Sequence, residues 1–167
     1  MSFVEGVKEF NNIAGTPEEF DPRKVALYTG LILEEVRELL ETYNDARLGK
    51  LITAVEYHSK MFKQGVFDDS AKSIRREEAL KETIDIAVVA LGEGISLGAD
   101  IVGACEEVSN SNLSKFPFVD GKRVVLKDEN GKVKKPPEYR PANVTQYLIT
   151  PSIGETVFRS MTKELTK

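Results

Sequence analysis

Leu31-Ile32-Leu33-Glu34-Glu35-Val36-Arg37-Glu38-Leu39-Leu40 is the stretch on which the fold turns. Apolar residues recur through and around it at three- and four-residue steps (Val25, Leu27, Tyr28, Leu31, Ile32, Val36, Leu39, Leu40, Tyr43), which predicts a long amphipathic helix. Asp21-Pro22 is its expected start, a capping carboxylate with proline at the first helical position, and Gly49 its expected stop. Glutamates set among core-forming residues need a compensating cation, because an unpaired buried charge is costly and would otherwise be neutralised by protonation. A divalent metal ion is the expected partner.

A second acidic cluster, Glu82-Thr83-Ile84-Asp85, falls in another long helix expected over about 70–97, with Gly98 as its stop. Residues Ile86 to Leu91 in that helix are apolar throughout and are expected to be buried. Residues three and four apart share a helix face, so Glu34 and Glu38, Glu35 and Glu38, and Glu82 and Asp85 stand together. Packed antiparallel, two such faces would converge four or five hard oxygen donors, a set suited to Mg²⁺ or Mn²⁺. The chemistry served by that set is metal-assisted displacement at phosphorus.

Around these helices the pattern stays α-helical. A short helix is expected near Phe3 to Phe10, another over Lys50 to Lys63 ending at Gly65, and one capped by Asp100 that runs towards Lys115. After Phe116-Pro117 the period changes. Lys122 to Lys127 and Lys132 to Lys135, joined by Asp128-Glu129-Asn130-Gly131, are expected to pair as a small β-hairpin, followed by an extended loop through Pro136-Pro137. A last amphipathic helix is expected over about 152–165. The fold class is therefore all-α with a small hairpin, in a single domain over 1–167 whose core runs from about 22 to 141.

Composition narrows the function. With 41% hydrophobic and 30% charged residues and no apolar run long enough to span a bilayer, the chain reads as an ordinary globular protein without a membrane partner. The start, Met1-Ser2-Phe3-Val4-Glu5, shows no secretory pattern, so a cytoplasmic location is expected. Net charge is −4, which offers no general electrostatic case for nucleic acid. Eight basic residues nevertheless stand between Lys115 and Arg140 against four acids, enough to meet a polyphosphate. Cys105 is the only cysteine and His58 the only histidine, which excludes a disulfide, a cysteine zinc site, a catalytic triad and a carboxylate–histidine di-iron bundle. Cys105 is expected to fill core space and His58 to lie on a helix surface. No phosphate-cradling Gly-x-x-x-x-Gly-Lys-Ser/Thr loop is present, so side chains must bind any phosphate.

The two acidic clusters, Glu34-Glu35-x-x-Glu38 and Glu82-x-x-Asp85, resemble the signature of the all-α nucleoside triphosphate pyrophosphohydrolases, the superfamily of MazG and the dimeric dUTPases. Asn112-Leu113-Ser114-Lys115 and Lys135-Pro136-Pro137-Glu138-Tyr139 resemble the Asn-x-Ser-Lys helix end and Lys-x-x-x-Tyr tail of MazG-like proteins common in phages. The resemblance covers about Val25 to Pro141. It is nearest to members acting on purine deoxynucleotides, including the (d)GTP diphosphohydrolase type called MazZ. One departure is the long interval between Glu38 and Glu82, which makes the Lys50 to Lys63 helix an insertion, a lid or part of a subunit interface.

That resemblance implies a MazG-like helical bundle that hydrolyses a (d)NTP, such as dGTP, to the (d)NMP and pyrophosphate with Mg²⁺ or Mn²⁺. It implies Glu34, Glu35, Glu38, Glu82 and Asp85 as metal ligands, with Glu34 and Glu38 catalytic and Glu34 positioning or deprotonating the attacking water. Asn112, Lys115, Lys127, Lys135 and Tyr139 are the implied substrate contacts, and a homodimer or homotetramer the implied assembly, in the host cytoplasm for a phage-encoded chain. Two alternatives remain open: a dUTPase-like member of the same fold, and a non-catalytic helical module whose basic hairpin binds nucleic acid or an acidic protein.

Overall fold

The computed structural model describes residues 2–16, 19–127 and 133–149. The expected helix over 152–165 and the Asn130-Gly131 turn lie outside them. Within the described residues the chain is mostly helical, as the periodicity predicts: α1 (Phe3–Ala14), α2 (Pro22–Thr42), α3 (Gly49–Lys63), α4 (Asp68–Ala71), α5 (Arg76–Ser96) and α6 (Ile101–Leu113). The chain divides into two compact units, Thr16–Leu80 and a second made of Met1–Gly15 with the chain from Lys81 onward.

In the Thr16–Leu80 unit, Asp21 caps α2 as expected, its Oδ1 accepting from the N–H groups of Arg23 (2.9 Å) and Lys24 (3.4 Å). The helix stops earlier than expected. Asn44 takes the left-handed conformation (φ 50°) that a glycine stop would supply, and asparagine is among the few residues that tolerate it. Asp45 then caps a 3₁₀ turn at Ala46–Leu48, and Gly49 opens α3 instead of closing α2. Gly65, at φ 80°, follows the end of α3 as the spacing predicts. One further turn, α4, then separates α3 from α5, so the second acidic helix starts at Arg76 and not near Ser70.

Helices α2 and α3 approach closely at Gly30, where an added Cβ would lie 2.8 Å from Lys63 Cγ and 3.0 Å from the Ser59 carbonyl oxygen. The buried Ser59 hydroxyl donates to the Gly30 carbonyl at 2.7 Å, a bond sealed from water. Ser59→Ala is expected to lower unfolding free energy by about 1 kcal/mol, the usual net worth of one such bond, read as a lower midpoint in urea. Phe62 and Phe67 stack with centroids 4.3 Å apart. With Val25, Ala26, Thr29, Ser70, Ala71 and Ile74 they line a largely apolar depression of about 250 Å³.

In the other unit, Ser2 and Glu5 form a reciprocal capping box on α1, and Gly15 (φ 80°) closes that helix. Phe10 on α1 meets Phe116 at the end of α6 with ring centroids 4.9 Å apart, and Phe116 and Leu113 are buried there. Asp100 caps α6 as expected, accepting from the Gly103 N–H at 3.2 Å. His58, back in the first unit, is exposed as expected, whereas Cys105 on α6 is only half-buried.

The β-pairing differs from the expected one. Strands β1 (Phe118–Val119) and β2 (Lys122–Arg123) pair antiparallel across Asp120-Gly121, whose φ values of 50° and 77° give the doubly left-handed turn that two-residue hairpins favour. Lys122 and Arg123 thus pair backwards with Phe118 and Val119, and of the expected longer hairpin the described residues retain a bridge between Lys127 and Val133.

The largest departure concerns α5. Ile86 (48% exposed), Val88 (62%) and Val89 (71%) are open to solvent, where burial was expected. An unbroken apolar run points around the whole helix circumference, so no single neighbouring element can cover it.

Candidate functional site

Helical geometry places Glu34, Glu35 and Glu38 one turn apart or adjacent on α2, within the Thr16–Leu80 unit. Glu82 and Asp85 stand one turn apart on α5, in the unit that starts at Lys81. These carboxylates are not drawn into a core. Glu34 is 36% exposed at its side chain, Glu38 56%, Glu82 66% and Asp85 54%. The expectation of buried acids is corrected accordingly, and cationic side chains hold the places next to them. Lys63 Nζ donates to Glu34 at 2.8 Å, and Arg37 spans Glu38 (2.9 Å) and Glu41 (2.5 Å). Lys81 Nζ reaches both Asp85 (2.6 Å) and Glu82 (3.0 Å).

Those pairs shape the local electrostatics. The hydrogen bond to Asp85, then that to Glu82, holds the Lys81 ammonium above its ordinary range. The hydrogen bond to Glu41 does the same for the Arg37 guanidinium. Lys81 and Arg37 could have been found from sequence, since Lys81–Asp85 and Arg37–Glu41 sit at the i,i+4 spacing of helical ion pairs. Lys63 could not, because it reaches Glu34 across 29 residues through the packing of α3 on α2.

The expected substrate contacts fall into three places in the unit that holds Lys81. Lys115 donates to Asn112 Oδ1 at 2.8 Å at the end of α6, with its ammonium 5.6 Å from the Phe10 ring centroid. Lys135 lies over the Tyr139 ring at 4.5 Å, so the two ends of the Lys-x-x-x-Tyr stretch are in contact. Lys127 is exposed on the bridge to Val133. Arg123, counted among the basic residues of this segment, has a structural task. It donates to the Leu113 (2.9 Å) and Phe116 (3.3 Å) carbonyls and so caps the C-terminal end of α6, where a cation also meets the negative end of the helix dipole.

The donor set suits a hard divalent cation in its chemistry, being carboxylate oxygen throughout, accessible, and already paired with exchangeable positive charge. Among the described residues, no three carboxylate, imidazole or thiol groups are gathered closely enough to hold a metal ion. Among the described residues no helix is long and apolar enough to cross a membrane. The chain matches no protein-family model, no curated protein and no solved structure.

Proposed function

We propose that this chain is a MazG-like nucleoside triphosphate pyrophosphohydrolase, converting a (d)NTP, and a purine deoxynucleotide such as dGTP in particular, to the (d)NMP and pyrophosphate. The observation that carries this reading is the placement of Glu34-Glu35-x-x-Glu38 and Glu82-x-x-Asp85 on two long helices, each group within one turn and each attended by an exchangeable cation. Glu34, Glu35, Glu38, Glu82 and Asp85 would hold Mg²⁺ or Mn²⁺, whose chemistry when bound is to neutralise phosphate charge and acidify water.

The remaining work belongs to the chain's own side chains. Glu34 accepts the proton of the attacking water as its oxygen bonds to phosphorus and the α–β phosphoanhydride bond breaks, releasing pyrophosphate. Lys115, Lys127 and Lys135 compensate the triphosphate as point charges, and Asn112 and Tyr139 meet sugar or base. Self-assembly into a dimer or tetramer belongs to the same proposal.

The test is pyrophosphate release from each common ribo- and deoxynucleoside triphosphate with Mg²⁺ or Mn²⁺. Turnover is expected with a purine deoxynucleotide and is expected to vanish in excess EDTA and return when Mg²⁺ is restored. Release from dUTP alone would assign the chain to the dUTPase-like alternative. No release from any triphosphate with either metal would reject the enzyme.

A further inference from the structure

We propose that the cleft between α1 and α6 is the base pocket of the nucleotide site and takes guanine, an assignment that rests on the triphosphate reading above. Phe3, Gly6, Val7 and Phe10 of α1 and Ser109 and Asn112 of α6 line about 130 Å³ there, all within the unit that holds Lys81.

The sequence of α1 makes the opening. Phe3, Gly6, Val7 and Phe10 stand three and four residues apart, or adjacent, and so share one helix face. Gly6, buried between the two phenylalanines along that face, brings no side chain to fill the space. Glycine is a poor helix former, so what it contributes at this position is room. Phe10 is held by the buried Phe116, with ring centroids 4.9 Å apart, which makes it a fixed wall.

Size and lining select the part of the nucleotide that enters. Pockets that enclose a whole drug-sized ligand measure about 300–1,000 Å³, so this one takes a single flat ring system and leaves sugar and phosphates outside. Phenyl and valine walls suit the π face of a base and reject charged phosphate oxygens. Lys115 Nζ lies 2.8 Å from Asn112 Oδ1 and 5.6 Å from the Phe10 ring centroid. Touching two lining residues, it stands at the pocket edge, where the phosphates of a bound nucleotide need a counter-charge.

Lys115 also fixes what Asn112 offers. An ammonium group only donates, so it takes the amide oxygen and leaves the –NH₂ to donate to a ligand. Those hydrogens fit the O6/N7 edge of guanine, where both groups accept, better than the edge of adenine, where an amino donor replaces O6. The Ser109 hydroxyl can serve either base. Stacking is tolerant of base identity, so discrimination falls to Asn112.

The test is binding of dGMP and dAMP to the full chain by isothermal titration calorimetry, which needs no turnover. The parent is expected to prefer dGMP, and no binding of dGMP would overturn the proposal. Val7→Trp, filling the opening from a position 44% exposed, is expected to weaken dGMP binding at least 10-fold with unchanged circular dichroism. A folded Val7→Trp variant that binds dGMP as the parent does would overturn the pocket. Asn112→Asp is isosteric, keeps an oxygen for Lys115 and replaces the donor by an acceptor. Its added charge weakens both nucleotides alike, so the ratio is the readout, and the preference for dGMP over dAMP is expected to fall about 10-fold. An unchanged preference would overturn the role of Asn112 and the guanine assignment. Pyrophosphate release is measured separately. Turnover with dGMP binding unmoved in both variants would remove the pocket and leave the reaction, whereas pocket binding without turnover would remove the reaction and leave the pocket.

Discussion

Glu38→Gln and Asp85→Asn are each expected to lower Mg²⁺-dependent pyrophosphate release by about 100-fold or more while leaving the far-ultraviolet circular dichroism unchanged. The magnitude follows from metal sites, where loss of a group that merely orients a ligand already costs about 10–100-fold. The unchanged fold follows from position. Glu38 and Asp85 are more than half exposed, and ion pairs of such surface carboxylates, here with Arg37 and Lys81, contribute little to stability. Raising the metal concentration is expected to recover part of the activity of each variant, which separates weakened metal binding from general damage. Activity within twofold of the parent in both variants would remove Glu38 and Asp85 from the proposed site and the reaction with them.

Gly30→Val is expected to lower the stability of the Thr16–Leu80 unit by about 3 kcal/mol, the upper part of the range for overpacked sites. Even one added carbon would sit 2.8 Å from Lys63 Cγ and 3.0 Å from both Phe62 Cβ and the Ser59 carbonyl, so α2 and α3 must separate. Gly30→Ala sets two effects of similar size against each other. Alanine gains about 1 kcal/mol of helix propensity over glycine, while the close approach costs about 1–3 kcal/mol, leaving a net loss of about 1 kcal/mol. For a chain of this length a 3 kcal/mol loss corresponds to a fall of about 10 °C in melting temperature, read by circular dichroism at 222 nm. Because Lys63 carries the ammonium that holds Glu34, the same variant is also expected to loosen that ion pair. A melting temperature within about 1 °C of the parent would mean that the two helices accommodate a side chain at Gly30 without cost.

The helix starts were readable because capping is local. Asp21 and Asp100 accept from N–H groups two or three residues ahead, a relation that no distant contact needs to supply. The end of α2 was misplaced because Asn44 could serve as the left-handed stop before Gly49 was reached. The expected hairpin is met where Lys127 bridges Val133 and the Lys134 N–H donates to the Leu126 carbonyl, and differs where Lys122 and Arg123 pair backwards. Asp120-Gly121 carries a turn signal of the same kind as Asn130-Gly131, and which strand residues each turn gathers rests on the flanking pairs. Phe118 and Val119 pair with Arg123 and Lys122, which draws β2 away from the later segment.

For the candidate site, what was legible was the spacing of the acids and their assignment to two helices, since i,i+3 and i,i+4 neighbours share a face wherever a helix forms. Burial was not legible. The apolar neighbours of Glu82 and Asp85 record that α5 prefers to avoid water, but composition carries no information on which element does the covering, and in this chain Ile86, Val88 and Val89 stand open.

Periodicity, caps and turn residues act within a few residues of chain, so the order of the helices and the register of the five acids along them could be read before any coordinates. Which cations those acids hold, how closely α2 meets α3 at Gly30 and how much of α5 stays open depend on contacts between residues far apart in the chain. Lys63 on Glu34 and Ser59 on Gly30, each separated by 29 residues, exist only because two helices pack. Such contacts follow from the whole arrangement of apolar surface, and no local pattern encodes them.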